Sequence, residues 1–147
     1  MKIEKSYSAK PSISISTVSG DCLVYKGETN QVIISLTFTY PTDCFAYEIN
    51  EDANSISINE KFNGRCKGQS EWIITVPKNT EVEINSASGK ILVVGTTANV
   101  NANTASGEIS IQSVNAKSVN ARTASGDLNL VKVVAEVSLK TASGDIN

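Results

Sequence analysis

The chain has 147 residues, 13 of them basic and 15 acidic for a net charge of −2, and no histidine. That length supports one domain, or two small ones at most, with a core that buries roughly 68–70% of the unfolded surface and needs no metal or disulfide staple. The charge balance argues against a nucleic-acid binder, and the missing histidines remove Ser-His-Asp and Cys-His catalysis and the commonest metal ligand.

The opening stretch, residues 1–14, has no apolar h-region, so no secretory signal is expected from it. Nor does any apolar run approach the roughly 18 residues that a membrane span needs. Composition points to strands: 15 Ile, 14 Val and 12 Thr stand against 6 Leu. Branching at Cβ restricts χ1 and suits a pleated surface. Ser, Asn and Thr together number 45, a polar surface that is uncharged and turn-prone. Alternation with period 2 recurs at Ile13/Ile15, Trp72/Ile74/Val76, Val82/Ile84, Ile109/Ile111 and Leu128/Leu130. The expected class is all-β.

The first copy of a repeat lies within residues 11–26, where Ile13 and Ile15 lead into Thr17-Val18-Ser19-Gly20-Asp21 and Cys22 and Val24 follow. Residues 27–77 then hold four strand-like runs, 31–40, 45–50, 55–62 and 71–76, separated by turn signals at Pro41-Thr42-Asp43, Glu51-Asp52-Ala53-Asn54 and Asn63-Gly64. Short connections favour antiparallel pairing, so this block reads as an antiparallel insertion that caps or extends the first end of a coil. Leu92 and Val94 agree, because the outer face is most apolar beside that insertion.

From residue 78 to 147 the repeat is regular. Ser86-Ala87-Ser88-Gly89 returns as Thr104-Ala105-Ser106-Gly107, Thr123-Ala124-Ser125-Gly126 and Thr141-Ala142-Ser143-Gly144, with glycines 18, 19 and 18 residues apart. A fixed short period is the mark of a solenoid. Ile91, Ile109, Leu128 and Ile146 align after the glycine; Val82, Val100, Val119 and Val137 align before it, as do Ile84, Ala102, Ala121 and Leu139. Two strands per repeat predict a two-sided parallel β-solenoid with 18–19-residue rungs, right-handed by the crossover rule, and an incomplete C-terminal rung. At each bend the glycine is expected to supply φ > 0 and the serine a hydroxyl for a nearby backbone group.

The repeated pattern, with Trp72-Ile73-Ile74-Thr75-Val76-Pro77 leading into it, resembles the bacterial putative-adhesin family of β-strand repeats with SGD-type rungs. The resemblance covers residues 70–147 well and 11–25 more loosely. It implies a β-solenoid and an association with the bacterial cell envelope or the cytoplasm, and it brings no catalytic residues.

Chemistry is sparse. Glu108, Asp127 and Asp145 share the place after the glycine and could form an acidic ladder bridged by a cation. A calcium site wants a tighter cluster of oxygens, so the adopted reading is a solvated turn face. Thr17, Thr104, Thr123 and Thr141 share the inward parity of the strands before them and should form a buried hydroxyl ladder. Cys22 falls on a core place; Cys44 and Cys66 could pair in an oxidising compartment, but free thiols are the preferred reading. No P-loop, dinucleotide fingerprint or metal-ligand pair is present, and no cofactor is expected. Aromatics are absent beyond residue 82, leaving Tyr25, Tyr40 or Tyr47 as the lining of any small site.

The function expected is a non-enzymatic, adhesion-like or envelope-associated interaction module. Its coil would display Asn101, Asn120 and Ser138 to a protein or cell-surface partner. Two alternatives stay open: a scaffold that self-associates end to end through open solenoid ends, and an enzyme with a site in the insertion.

Overall fold

The computed structural model describes all residues except 1, 19, 28, 29, 42, 78, 143, 145 and 147. Every regular element in it is a strand. In chain order these are β1 (Lys2–Ser8), β2 (Ser12–Thr17), β3 (Asp21–Lys26), β4 (Gln31–Phe38), β5 (Phe45–Glu51), β6 (Ser55–Phe62) and β7 (Ser70–Val76). The rest are β8 (Glu81–Ser86), β9 (Ile91–Val94), β10 (Val100–Thr104), β11 (Ile109–Gln112), β12 (Asn115–Thr123), β13 (Leu128–Val131) and β14 (Val134–Thr141). No helix among the described residues is long and apolar enough to cross a membrane.

The strands form two seven-stranded sheets. Sheet A runs β1-β4-β7-β3-β9-β11-β13 and sheet B runs β14-β12-β10-β8-β2-β6-β5. The chain alternates between them. In the repeat region each strand pairs in parallel with its counterpart one repeat away: Ile91 with Ile109 and Leu128, Val82 with Val100 and Val119, Val119 with Val137. Ile146 bridges Leu128 in the same sense. These are the alignments the sequence period predicts.

The block between residues 27 and 77 departs from the expected meander. β6 and β7 are not antiparallel additions: β6 pairs in parallel with β2, and β7 pairs in parallel with β3. They form a further turn of the coil on the far side of β2 and β3, so chain order and stacking order diverge. Only β4 on β7, β1 on β4, and β5 on β6 are antiparallel. The physical reason lies in the alternation. Ile56/Ile58 and Trp72/Ile74/Val76 are fully buried, and in parallel register they continue the inner rows of Ile13/Ile15 and Cys22/Val24. Strand β1, in a stretch given no role above, forms the outermost strand of sheet A.

The core is the space between the sheets. Its inner rows hold isoleucine and valine in the first turns and taper to Ala102 and Ala121 further along. Burying a side chain of the Val or Ile type contributes about 1.5–3 kcal/mol. At the capped end an aromatic cluster closes the coil: the Tyr40 and Phe45 rings stack at 4.9 Å, and Phe62 meets both edge-on at 5.0 and 5.2 Å. Cys44 and Cys66 are joined in a disulfide beside this cluster, with Cα atoms 5.7 Å apart. This corrects the expectation of free thiols: pairing β5 against β6 brings the loops before β5 and after β6 together. Cys22 alone is free, and it is buried.

The bends follow different chemistry from that expected. Among the described motif glycines none has positive φ; within the repeats the left-handed residues are Gly95, Ser113 and Lys132, at the opposite bend. Motif glycines are required by close approach instead. A Cβ on Gly107 would lie 2.8 Å from the carbonyl carbon of Gly89 and closer to its oxygen, and Gly126 repeats this against Gly107. The hydroxyl that matters belongs to the threonine opening the motif. Thr123 Oγ1 accepts from Gly126 N at 3.0 Å and donates to the Gly107 carbonyl at 3.1 Å, so it ties its own bend to the previous rung. Thr104 and Thr141 accept in the same way at 3.2 and 3.0 Å.

Candidate functional site

In sheet B alternate residues face outward, and parallel register turns the repeat into rows. One row is Asn59, Ser16, Asn85, Asn103, Arg122 and Lys140; the next is Ser57, Ser14, Glu83, Asn101, Asn120 and Ser138. Neighbouring members lie about 4.8 Å apart across strands. The amides bond along and between rows: Asn103 Nδ2 donates to Asn85 Oδ1 and to Asn101 Oδ1, each at 3.2 Å. Asn85 Nδ2 donates to Glu83 Oε1 at 3.4 Å. These bonds fix the amide orientation and leave an ordered grid of donors and acceptors on an open face.

Two depressions lie on this grid. One, of 530 Å³, runs along the bends and is lined by Asn85, Asn103, Arg122, Lys140 and the alanines of the motif. The other, of 340 Å³, lies across Ser14, Glu83, Asn101 and Asn120. Charge is graded along the face, from Glu81 and Glu83 on β8 to Arg122 on β12 and Lys140 on β14. The outer face of sheet A differs. There Ile73, Leu23 and Leu92 form one row, half-buried by one another, which places the apolar outer surface beside the capped end.

The acidic ladder is only partly brought together. Glu108 accepts from Asn129 Nδ2 at 2.9 Å, and the backbone beside it pairs with Asp127. Asp145 lies outside the described residues. No group of three or more Cys, Asp or Glu among the described residues could hold a metal ion. The threonine ladder is buried, with Thr17, Thr104 and Thr123 facing inward. The tyrosines do not converge: Tyr40 is in the core cluster, Tyr47 packs edge-on against Trp72 at 5.9 Å, and Tyr25 lies in the outer face of sheet A.

Glu60 has a role that sequence reasoning missed. It follows Asn59, the partner of Ser16, and so stands where Thr17 stands in the next rung. Its carboxylate accepts from Val18 N at 3.0 Å, from Trp72 Nε1 at 2.9 Å and from the Ser70 hydroxyl. A buried carboxylate thus ends the hydroxyl ladder and occupies the space that a further glycine bend would fill. The only signal was a glutamate on the inward parity of β6. Nearby, burial pushes the Cys22 thiol up to about 12; a hydrogen bond to Thr17 opposes this, and Glu60 and Asp21 add to it.

A comparison with curated proteins finds no match. Among solved structures the chain is similar to a putative cell adhesion protein from Clostridium sporogenes ATCC 15579, with 14% identity, a TM-score of 0.73, and coverage of 100% of this chain and 98% of that one. It is also similar to a putative adhesin from Bacteroides fragilis NCTC 9343, with 13% identity, a TM-score of 0.53, and coverage of 99% and 96%. At these identities the likeness is one of fold. The family comparison is broader in reach: residues 1–147 match throughout, and the chain belongs to the Toastrack DUF4097 family.

Proposed function

We propose that this chain is a non-enzymatic, adhesion-like interaction module of the bacterial cell envelope, built as a right-handed coil with 18–19-residue rungs. The observation that carries the reading is the register of the outer rows on sheet B, where Asn85, Asn103 and Arg122, and Glu83, Asn101 and Asn120, repeat at one-strand spacing. A partner with its own repeat, such as a polysaccharide or an extended peptide, could meet that grid at several points at once. Individually weak polar contacts then add through multivalency. Bonding within the grid lowers the entropy cost of ordering amide side chains on binding. The Cys44–Cys66 pair supports an oxidising compartment, and the adhesin descriptions of the similar structures support the envelope assignment.

The test is retention of the purified chain on intact cells of its source and on their isolated wall polysaccharide. The triple variant Asn101→Ala, Asn103→Ala, Asn120→Ala should lose at least about tenfold in binding, a loss of 1.4 kcal/mol or more. Its unfolding midpoint should stay close to that of the parent, because the three side chains lie on the outer face. Equal binding by the two proteins would overturn the assignment of this face.

A further inference from the structure

The Cys44–Cys66 disulfide fastens a loop that little else holds. Residues 63–69, between β6 and β7, are exposed except for Cys66, which is half-buried, as is Cys44. Both ends of this loop are hydrogen-bonded. Asn63 N donates to the Cys44 carbonyl at 2.9 Å; Gln69 N donates to Thr39 Oγ1, and the Gln69 carbonyl accepts from Thr39 N, each at 2.9 Å. Gly68 lies against the backbone of Tyr40, where a Cβ would come within 2.8 Å of Tyr40 N. From residue 64 to residue 67 no hydrogen bond or ion pair is made among the described residues. Nothing lies within 4 Å of a Cβ placed on Gly64. The disulfide is the one bond that ties this stretch down.

The bond is also local in reach. Its cysteines are 22 residues apart in sequence and close only the β5–β6 hairpin of sheet B. The parallel pairings of β2 with β6 and β8, and of β3 with β7 and β9, need neither cysteine. Arg65 and Lys67 flank Cys66, and neighbouring cations favour a thiolate, the species that attacks and leaves in disulfide exchange. We propose that Cys44–Cys66 is a redox latch, a site that a dithiol reductant opens in the folded chain to release residues 63–69 while both sheets stay intact. A thiolate of the dithiol attacks one of the two sulfurs; the S–S bond breaks, and its electron pair leaves on the other sulfur, which takes up a proton. The second thiol of the reductant then displaces the attacked cysteine. The dithiol ends as a disulfide, and Cys44 and Cys66 end as two thiols. Opening requires only the loop to detach, because stability is not uniform across a fold. The latch is independent of what the outer face of sheet B binds.

The test compares the oxidised full chain with the same chain reduced by dithiothreitol in the absence of denaturant. A thiol-reactive dye should titrate the two cysteines of the bridge, while Cys22, which is buried, stays silent. Trypsin cuts after arginine and lysine, and reduction should speed its cleavage after Arg65 and Lys67 by about tenfold or more as the open loop becomes populated. Hydrogen exchange should quicken only in residues 63–69 and at Cys44, with β2, β3, β8 and β10 as protected as before. The double variant Cys44→Ser, Cys66→Ser should be cut at the reduced chain's rate with or without dithiothreitol. Reoxidation of the parent should restore resistance, and this reversal decides the matter even where the variant folds poorly. Unchanged cleavage after reduction would overturn the proposal. So would bridge cysteines that titrate only in denaturant, or exchange that quickens across both sheets.

Discussion

Replacing Gly107 with alanine inserts one methyl group where two rungs cross. Its carbon would lie 2.8 Å from the Gly89 carbonyl carbon, closer still to the oxygen, and 3.0 Å from Thr104 Oγ1. The obstacle is backbone, so no side chain can swing aside. The rungs must separate locally, and two hydrogen bonds converge on this residue: Gly107 N to Thr104 Oγ1 at 3.2 Å and Thr123 Oγ1 to Gly107 O at 3.1 Å. Losing both costs about 2 kcal/mol at roughly 1 kcal/mol each, and overpacking adds about 1–3 kcal/mol. The expected loss is therefore about 3–5 kcal/mol, a large share of the roughly 5–15 kcal/mol that holds a domain folded. Urea unfolding followed by far-ultraviolet circular dichroism reads this directly. Gly64→Ala is the comparison, because Gly64 has φ of 74° and nothing within 4 Å of a Cβ; it should lose only about 1–2 kcal/mol, the cost of a left-handed residue. If Gly107→Ala lost no more than Gly64→Ala, close approach would not be the reason for the glycine column.

Three further outcomes follow from buried groups. Thr96 is fully buried, its hydroxyl has no partner among the described residues, and the next repeat places Val114 there; Thr96→Val should stabilise the chain by about 1 kcal/mol in the same urea assay. Glu60→Ala strands the donors of Val18, Ser70 and Trp72 and should cost about 3 kcal/mol or more, whereas Glu60→Gln keeps an acceptor and should cost less; equal losses would contradict the capping role. Burial holds the Cys22 thiol neutral up to about 12 against its ordinary 9.0, so above 9 the unfolded chain binds fewer protons and stability falls as pH rises. From pH 8 to 10 wild type should lose about 1.4 kcal/mol more than Cys22→Ala, with no difference expected below pH 8.

The repeat was legible because its signal is redundant. Val82, Val100, Val119 and Val137 state the same register several times, and the strands pair as that register requires. The turn formed by β6 and β7 was not legible, because its sequence carries no Thr-Ala-Ser-Gly bend: Glu60 and Ser70 stand in for the hydroxyl and glycine columns there. Without a copied motif, short connections suggested antiparallel neighbours, and only the burial of Ile56, Ile58 and Trp72 between the sheets reveals a parallel turn. β1 was hidden because Lys5 interrupts the apolar alternation of Ile3 and Tyr7. The glycine bends were located correctly but explained by the wrong property. Sequence shows that only glycine recurs at a place; whether φ or crowding demands it depends on how near the next rung lies. The polar rows of sheet B were foreseen at Asn101, Asn120 and Ser138, while the flanking row through Asn85, Asn103 and Arg122 and its groove emerge only once the sheet is folded.

The central claim, an interaction face presented at the cell envelope, is tested most directly by treating intact source cells with a membrane-impermeant, lysine-reactive label. The account predicts labelling of this chain on intact cells, under conditions that leave a cytoplasmic control protein unlabelled. Labelling only after lysis would contradict it.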